Sequence, residues 1–274
     1  MPRRSHRRSL RRPSHLQPAP TTSLSRLVAA LRPYWLQLYL LAYTPPLLII
    51  DAHVTSIAQQ VGLGLLTFLV LGLLATRVPR EVAFQVAVCV LVATCFEVVG
   101  SLIWGLYRYR FHNLPLYVPP GHGLVYVFAI TGAATPLLRK HGRTAALVVL
   151  AIASAWALAG LTVLVPLTHR VDANGAALLP LLALFLLRSP RAAMFVGIFV
   201  AVTELELVGT AVGTWTWLPV TPYVGSRSGN PPSAIAGGYG VIDGTVLLVS
   251  FGLVKLRDLL RPALALQVAV NPED

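Results

Sequence analysis

The sequence predicts an all-α membrane protein of about eight transmembrane helices, arranged as two parallel four-helix repeats. Three observations carry this expectation. Hydrophobic residues make up 55% of the 274-residue chain and charged residues 12%, with mean hydropathy +0.70, whereas a soluble domain carries about 25% charged residues. Eight apolar runs can be drawn, each long enough or nearly so to cross about 30 Å of hydrocarbon. Polar landmarks of the first half also return, in the same order, in the second.

The first 32 residues read as a basic, disordered cytoplasmic tail. Arg3, Arg4, Arg7, Arg8, Arg11 and Arg12 lie in a Ser/Pro-rich stretch before any apolar run, a composition that cannot bury a core. Such a tail sets orientation and touches anionic lipid. No nucleic-acid-binding motif accompanies it. A twin-arginine export signal fits poorly, because the first long apolar run starts near Tyr34 and no small-residue cleavage site follows.

The apolar runs fall at 33–50, 56–76, 82–104 and 121–138, then at 144–167, 173–188, 192–213 and 235–254. They divide into a first repeat over 33–138 and a second over 144–255, followed by a short cytoplasmic tail, 256–274. The sixth run is short, and the first contains Pro45-Pro46. Cys89 and Cys95 share the third run six residues apart, on different sides of a helix, so no disulfide framework is implied.

The landmarks are specific because they are polar, Pro or aromatic. Asp51-Ala52 returns as Asp172-Ala173, an offset of 121. The other landmarks return at offsets of 108 to 112. Arg77-x-Pro79-Arg80 becomes Arg188-x-Pro190-Arg191, and Glu97-x-x-Gly100-Ser101 becomes Glu206-x-x-Gly209-Thr210. Gly105-x-Tyr107-x-Tyr109 becomes Gly213-x-Trp215-x-Trp217, and Pro119-Pro120 becomes Pro231-Pro232.

Lys and Arg orient the spans. With the N-terminus inside, ten lie on cytoplasmic connections and the C-terminal tail: Arg77, Arg80, Arg139, Lys140, Arg143, Arg188, Arg191, Lys255, Arg257 and Arg261. Four lie outside: Arg108, Arg110, Arg170 and Arg227. This places both termini in the cytoplasm of a plasma-membrane protein. Four spans per repeat relate the repeats by an axis along the membrane normal. The two longest connections, about 105–120 and 214–234, then lie outside and are rich in Gly, Pro, Asn, Ser and aromatic residues, as functional loops are.

The candidate catalytic residues are Glu97, Glu206, His122 and Asp243. Glu97 and Glu206 occupy equivalent places in the third and seventh runs. An ionisable group at membrane depth is costly and usually faces a site; the alternative is a protonated carboxyl bonded to helix backbone. Each Glu has a Gly three residues on, on the same helix face, where a helix or ligand can come close. Glu204, two residues before Glu206, faces elsewhere and is a supporting candidate. Asp243 lies about 12 Å into the eighth span at 1.5 Å per residue. His122, in Pro119-Pro120-Gly121-His122-Gly123, opens the fourth run, where it could carry a proton or simply bond a loop.

Candidate substrate-binding residues are Tyr107, Tyr109, Trp215, Trp217, Asn113, Asn230 and Arg110. The aromatic pairs are two apart, so in extended chain each pair presents one face. They read as an interfacial aromatic belt or as an aromatic wall around an apolar substrate or developing cation. Arg108 and Arg110 reach headgroups or a lipid phosphate. Asn113 and Asn230 are loop candidates or turn residues. No metal or cofactor is expected: there is no P-loop, dinucleotide fingerprint, His-Glu-x-x-His, Gly-x-Ser-x-Gly or Asp-rich diphosphate motif.

At Glu97-x-x-Gly100, Gly105-x-Tyr107-x-Tyr109, Leu114-Pro115 and Val118-Pro119 the chain resembles integral-membrane carotenoid-biosynthesis proteins of the carotenoid hydratase type. More distantly it resembles the small membrane lycopene cyclases. Gly213-x-Trp215-x-Trp217 with Pro222-Tyr223-x-Gly225 looks similar. The run Val118-Pro119-Pro120-Gly121-His122-Gly123 looks like uncharacterised multi-span proteins of high-GC actinobacteria. The first resemblance implies an isoprenoid substrate.

Three functions remain open on the sequence. The first is an enzyme acting on an isoprenoid or lipid substrate, with Glu97 and Glu206 sharing a proton as acid and base. The second is a proton-coupled transporter of a small or lipidic solute. The third is a non-catalytic cell-envelope subunit. The expected partners are the lipid bilayer and an apolar small molecule, with no nucleic acid.

Overall fold

A computed structural model describes the backbone of residues 23–270 and side chains as far as residue 260. Arg3, Arg4, Arg7, Arg8, Arg11 and Arg12 of the basic tail lie outside the described residues. Residues 23–31, assigned to that tail from composition, form a short helix, α1 (Ser23–Leu31), with no buried residue.

Each apolar run contains a helix. They are α2 (Trp35–His53), α3 (Ile57–Ala75), α4 (Arg80–Glu97), α5 (Val118–Gly132), α6 (Pro136–Leu161), α8 (Ala173–Arg188), α9 (Ala192–Ala211) and α10 (Ala236–Val270), with a single turn, α7 (Val165–Thr168), between α6 and α8. Among the described residues, five helices are long and apolar enough to cross a membrane: α3, α4 with its continuation to Ile103, α6, α9 and the Ala236–Leu260 part of α10. The apolar α8 has 16 residues and α5 has 15. At 1.5 Å per residue these reach about 24 and 22 Å, short of the hydrocarbon thickness.

Several limits differ from the apolar runs. The fifth run breaks at Thr162, whose backbone leaves helical geometry (φ −131°, ψ −94°). The fourth run stops at Gly132, and residues 136–138 open α6 instead, since Thr135 is extended and Pro136 takes the first helical position. Helix α10 continues past residue 254 to Val270. Pro45 and Pro46 are both accommodated inside α2.

Helix α9 lies at the centre: 56% of its membrane-length window is buried, against 28–33% in the other four. It packs on α5, and the crossing is close because Gly197 sits on Ala129; a Cβ at residue 197 would meet the Ala129 Cα at 2.9 Å. Helix α4 packs on α10 as α9 does on α5. Helix α2 leans on α9, α3 on α5, and α6 on α8 and α9. The outward faces of α3, α4, α6 and α10 carry exposed Leu, Val, Ile and Phe, the lipid-compatible surface expected of membrane helices.

The two long connections pair with one another. Strands β1 (Tyr107–Tyr109) and β2 (Trp215–Trp217) form an antiparallel ladder with Tyr107 opposite Trp217, Arg108 opposite Thr216 and Tyr109 opposite Trp215. Arg110 N–H to the Thr214 carbonyl and Leu218 N–H to the Leu106 carbonyl, both 3.0 Å, extend it. Gly105 (φ +72°) and Gly213 (φ +77°) turn the chain into the strands, in a left-handed conformation that only glycine adopts freely. Ahead of β1, α4 widens into a π-helical segment, Val98–Ile103, a feature common at functional sites.

Candidate functional site

Period-two spacing in a strand puts both rings of each aromatic pair on one face. On β1 that face meets Glu97, at the end of α4. The Tyr107 and Tyr109 hydroxyls donate to Glu97 Oε2 at 2.7 and 2.8 Å. Burial first, and then the Glu97 carboxylate, push both phenols well above their usual pKa, so they remain O–H donors. On the other oxygen, His122 Nε2 lies 2.8 Å from Glu97 Oε1. Pro119 and Pro120 in the first turn of α5 bring His122 there, where it is buried.

On β2 the same face meets Glu206, in the last two turns of α9. The indole N–H groups of Trp215 and Trp217 both donate to Glu206 Oε2 at 3.0 Å. Indole nitrogen can only donate, so Glu206 Oε2 is an acceptor with two donors aimed at it. Tyr239, near the start of α10, reaches Oε1 at 3.4 Å. Its ring stacks on the His122 imidazole, centroids 5.0 Å apart and planes 16° apart. Rings also meet across the ladder: Tyr107 and Trp217 centroids are 4.6 Å apart, Tyr109 and Trp215 6.1 Å. The aromatic pairs therefore form a wall around the carboxyl groups. Tyr109, Trp215 and Trp217 are buried and Tyr107 half-buried.

The Gly one turn after each Glu serves its own strand. A Cβ on Gly209 would lie 2.0 Å from the Trp215 ring, and one on Gly100 would lie 3.4 Å from the Tyr107 hydroxyl. The close approach expected of a helix or ligand is made by these aromatic rings.

Both carboxyl groups line one cavity of about 320 Å³. No hydrogen bond joins them among the described residues; each sits in its own set of donors, and the His122–Tyr239 stack connects the sets. The rest of the lining is mainly apolar and comes from α2, α4, α5, α9 and α10, Leu47, Phe128 and Ile242 among it. Phe96, Val99 and Trp104 also line the cavity, and they are exposed. The cavity therefore opens sideways, on a surface that is itself apolar. Glu204 lines the cavity too, half-buried, despite standing two residues from Glu206.

Seven of the eleven expected site residues thus meet at this cavity: Glu97, Glu206, His122, Tyr107, Tyr109, Trp215 and Trp217. Asp243, Asn113, Asn230 and Arg110 do not line it. Asp243 is buried one helical turn beyond Tyr239, and its Oδ2 makes no hydrogen bond among the described residues. Asn230 Oδ1 accepts from the Trp217 backbone N–H at 2.9 Å and so fixes β2. Asn113 donates to Gln60 Oε1 at 2.8 Å. Arg110 turns inward, donating to the carbonyls of Asp51 and Val54 at 2.5 and 2.6 Å, where those end-of-helix oxygens need a donor.

Tyr239 and Tyr117 were not singled out from the sequence, yet both line the cavity. The only local signal for Tyr239 is an aromatic residue inside Gly237-Gly238-Tyr239-Gly240. Asp51 and Asp172 are both buried, but their settings differ. Asp51 stands in the last turn of α2, whereas Asp172 caps α8. The Asp172 carboxylate accepts from Gly175 and Gly229 N–H at 3.0 Å and from Ser233 N–H at 2.8 Å, tying the second loop to the helix. No known protein family, curated protein or solved structure matches this chain.

Proposed function

We propose that this protein is a membrane enzyme acting on a long apolar substrate, of isoprenoid or lipid class, by carboxylate acid–base chemistry. The observation that carries this reading is the pair of buried carboxyl groups lining one mostly apolar cavity with an apolar side opening. Apolar walls desolvate an alkene or alkyl chain, and a side opening admits it from lipid without crossing water.

The two carboxyl groups take different roles. Glu97 and His122 form the proton-handling pair, because the imidazole exchanges a proton with Oε1 at 2.8 Å. That pair protonates an alkene or leaving group. Glu206, with two indole donors fixed on Oε2, faces the positive charge that develops. The Tyr107, Tyr109, Trp215 and Trp217 rings add cation–π stabilisation. The resemblance of Glu97-x-x-Gly100 and its following loop to carotenoid-biosynthesis proteins agrees with this substrate class.

The same reading takes the chain as eight spans in two parallel repeats, with both termini cytoplasmic in the plasma membrane and the β1–β2 ladder outside. Its support is the distribution of Lys and Arg, the matched landmarks and the reciprocal packing of α4 on α10 and α9 on α5. A proton-coupled transporter is the second reading. The buried Asp243 carboxyl, one turn beyond Tyr239, favours it by adding a polar step deeper along α10.

Lipid and pigment profiles of cells carrying Glu97→Gln or Glu206→Gln, set against a deletion strain, test the proposal. Gln keeps the shape of the protonated acid. The expected result is normal expression with a deletion-like profile for both variants. Wild-type profiles from both variants would make the carboxyls structural. A deletion strain with unchanged lipids but altered solute uptake would favour transport.

A further inference from the structure

We infer that Asp51, Arg110, Asn113 and Tyr117 form a binding site for ordered water that passes protons between the loop surface and the Glu97–His122 end of the cavity. The site begins at the last turn of α2. Asp51 is fully buried, and its Oδ1 accepts from Gln60 Nε2 at 2.8 Å. Gln60 Oε1 in turn accepts from Asn113 Nδ2 at 2.8 Å. Arg110 is held to the same turn through the Asp51 and Val54 carbonyls.

Eight buried side-chain polar atoms lack a protein partner among the described residues, and four belong to this one cluster: Asp51 Oδ2, Arg110 Nε, Asn113 Oδ1 and Tyr117 Oη. Buried polar groups are rarely left unpaired, so such a concentration points to a ligand. The four atoms fix its chemistry. Arg110 Nε–H and the Tyr117 hydroxyl donate; Asp51 Oδ2 and Asn113 Oδ1 accept. An anion is opposed by Asp51, and a cation by Arg110. Water both donates and accepts, and fits all four.

The Asp51 carboxylate and the Tyr117 phenol also act on one another electrostatically, with burial the larger influence in pushing the phenol up. Tyr117 Oη and Asp51 stand close enough to influence one another as hydrogen-bond partners, but no bond of good geometry joins Tyr117 Oη or Asp51 Oδ2 to any group among the described residues. A bridging water is the ordinary way such a pair is satisfied. The site has two ends. Arg110 and Asn113 are half-buried beside the exposed His112, and Tyr117 lines the cavity with Glu97 and His122. A proton can therefore pass from the surface through Asp51 and water to Tyr117, and on to the Glu97–His122 pair.

The inference deepens the acid–base reading, but its test needs no substrate. The full chain, carrying ¹⁵N-labelled histidine in lipid nanodiscs, is followed by hydrogen exchange at the His122 ring N–H; His122→Gln assigns the signal. Tyr117→Phe removes one oxygen, and Asp51→Asn removes the charge and turns one acceptor oxygen into an NH2 donor. Each is expected to slow exchange at least tenfold. Exchange at the wild-type rate in both folded variants overturns the inference. Should Asp51→Asn not fold, Tyr117→Phe decides alone. Slowed exchange with an unchanged lipid profile in Glu97→Gln would keep the water site and discard the enzyme.

Discussion

Glu97 and Glu206 are treated alike by their strands and differently by everything else. Each Oε2 takes two donors from residues spaced two apart. Hydroxyls can reverse a hydrogen bond and indoles cannot, so the donors on Glu97 can turn into acceptors whereas those on Glu206 cannot. Trp217→Phe keeps the ring and deletes one donor to a buried carboxylate. It should cost about 1.5–3 kcal/mol, the range for hydrogen bonds to charged groups, seen as a lower thermal midpoint in detergent. Tyr107→Phe should cost a similar amount, because Tyr109 and His122 still hold Glu97 as Trp215 and Tyr239 still hold Glu206. At this scale the sequence was informative where spacing decides geometry, as in the aromatic pairs. It was silent on Tyr239 and Tyr117, whose positions depend on which helices become neighbours, and on the carbonyl partners of Arg110, which lie over fifty residues away.

Among the elements, the strands depend on small residues and on one carboxylate cap. Gly209→Ala would drive a methyl into the Trp215 ring, where a Cβ has 2.0 Å, and should cost about 1–3 kcal/mol as overpacking does. Gly100→Ala meets only the Tyr107 hydroxyl at 3.4 Å and should cost less than about 1 kcal/mol by the same reasoning. Near-UV circular dichroism and thermal unfolding of both variants check the contrast; equal losses would count against it. Asp172→Ala removes the acceptor of three backbone N–H groups. Trypsin should then cut after the exposed Arg227 faster, because the loop keeps only its bonds to Asn174 as ties to α8. The helices themselves were legible, since an apolar run of membrane length has few alternatives. Their limits were not, because they are set by backbone geometry at Thr135 and Thr162 rather than by hydropathy.

For the whole molecule, orientation is the property most open to direct test. Ser228 lies in the second loop but is buried, at 1% exposure, whereas Tyr223 is 90% exposed. Tyr223→Cys, in a chain with Cys89 and Cys95 replaced by Ala, should react with an impermeant maleimide added from outside intact cells. Reaction only after the cytoplasmic side is opened would reverse the orientation. The cavity was the least legible feature. Its lining comes from five helices and two loops, and no single stretch of sequence carries its shape.

The ladder that closes the site has one more consequence. Its register is centred on Arg108 opposite Thr216, with Tyr107 facing Trp217 and Tyr109 facing Trp215. Those residues are the ones that the sequence offset of 108 makes counterparts, Tyr107 with Trp215 and Tyr109 with Trp217. A pairing of that kind is self-complementary: it is what a dyad through its middle rung produces, each strand offering the other what it receives. A polypeptide holding only the first half could make the same three rungs with a second copy of itself, so a self-associating single unit is a workable ancestor for this chain.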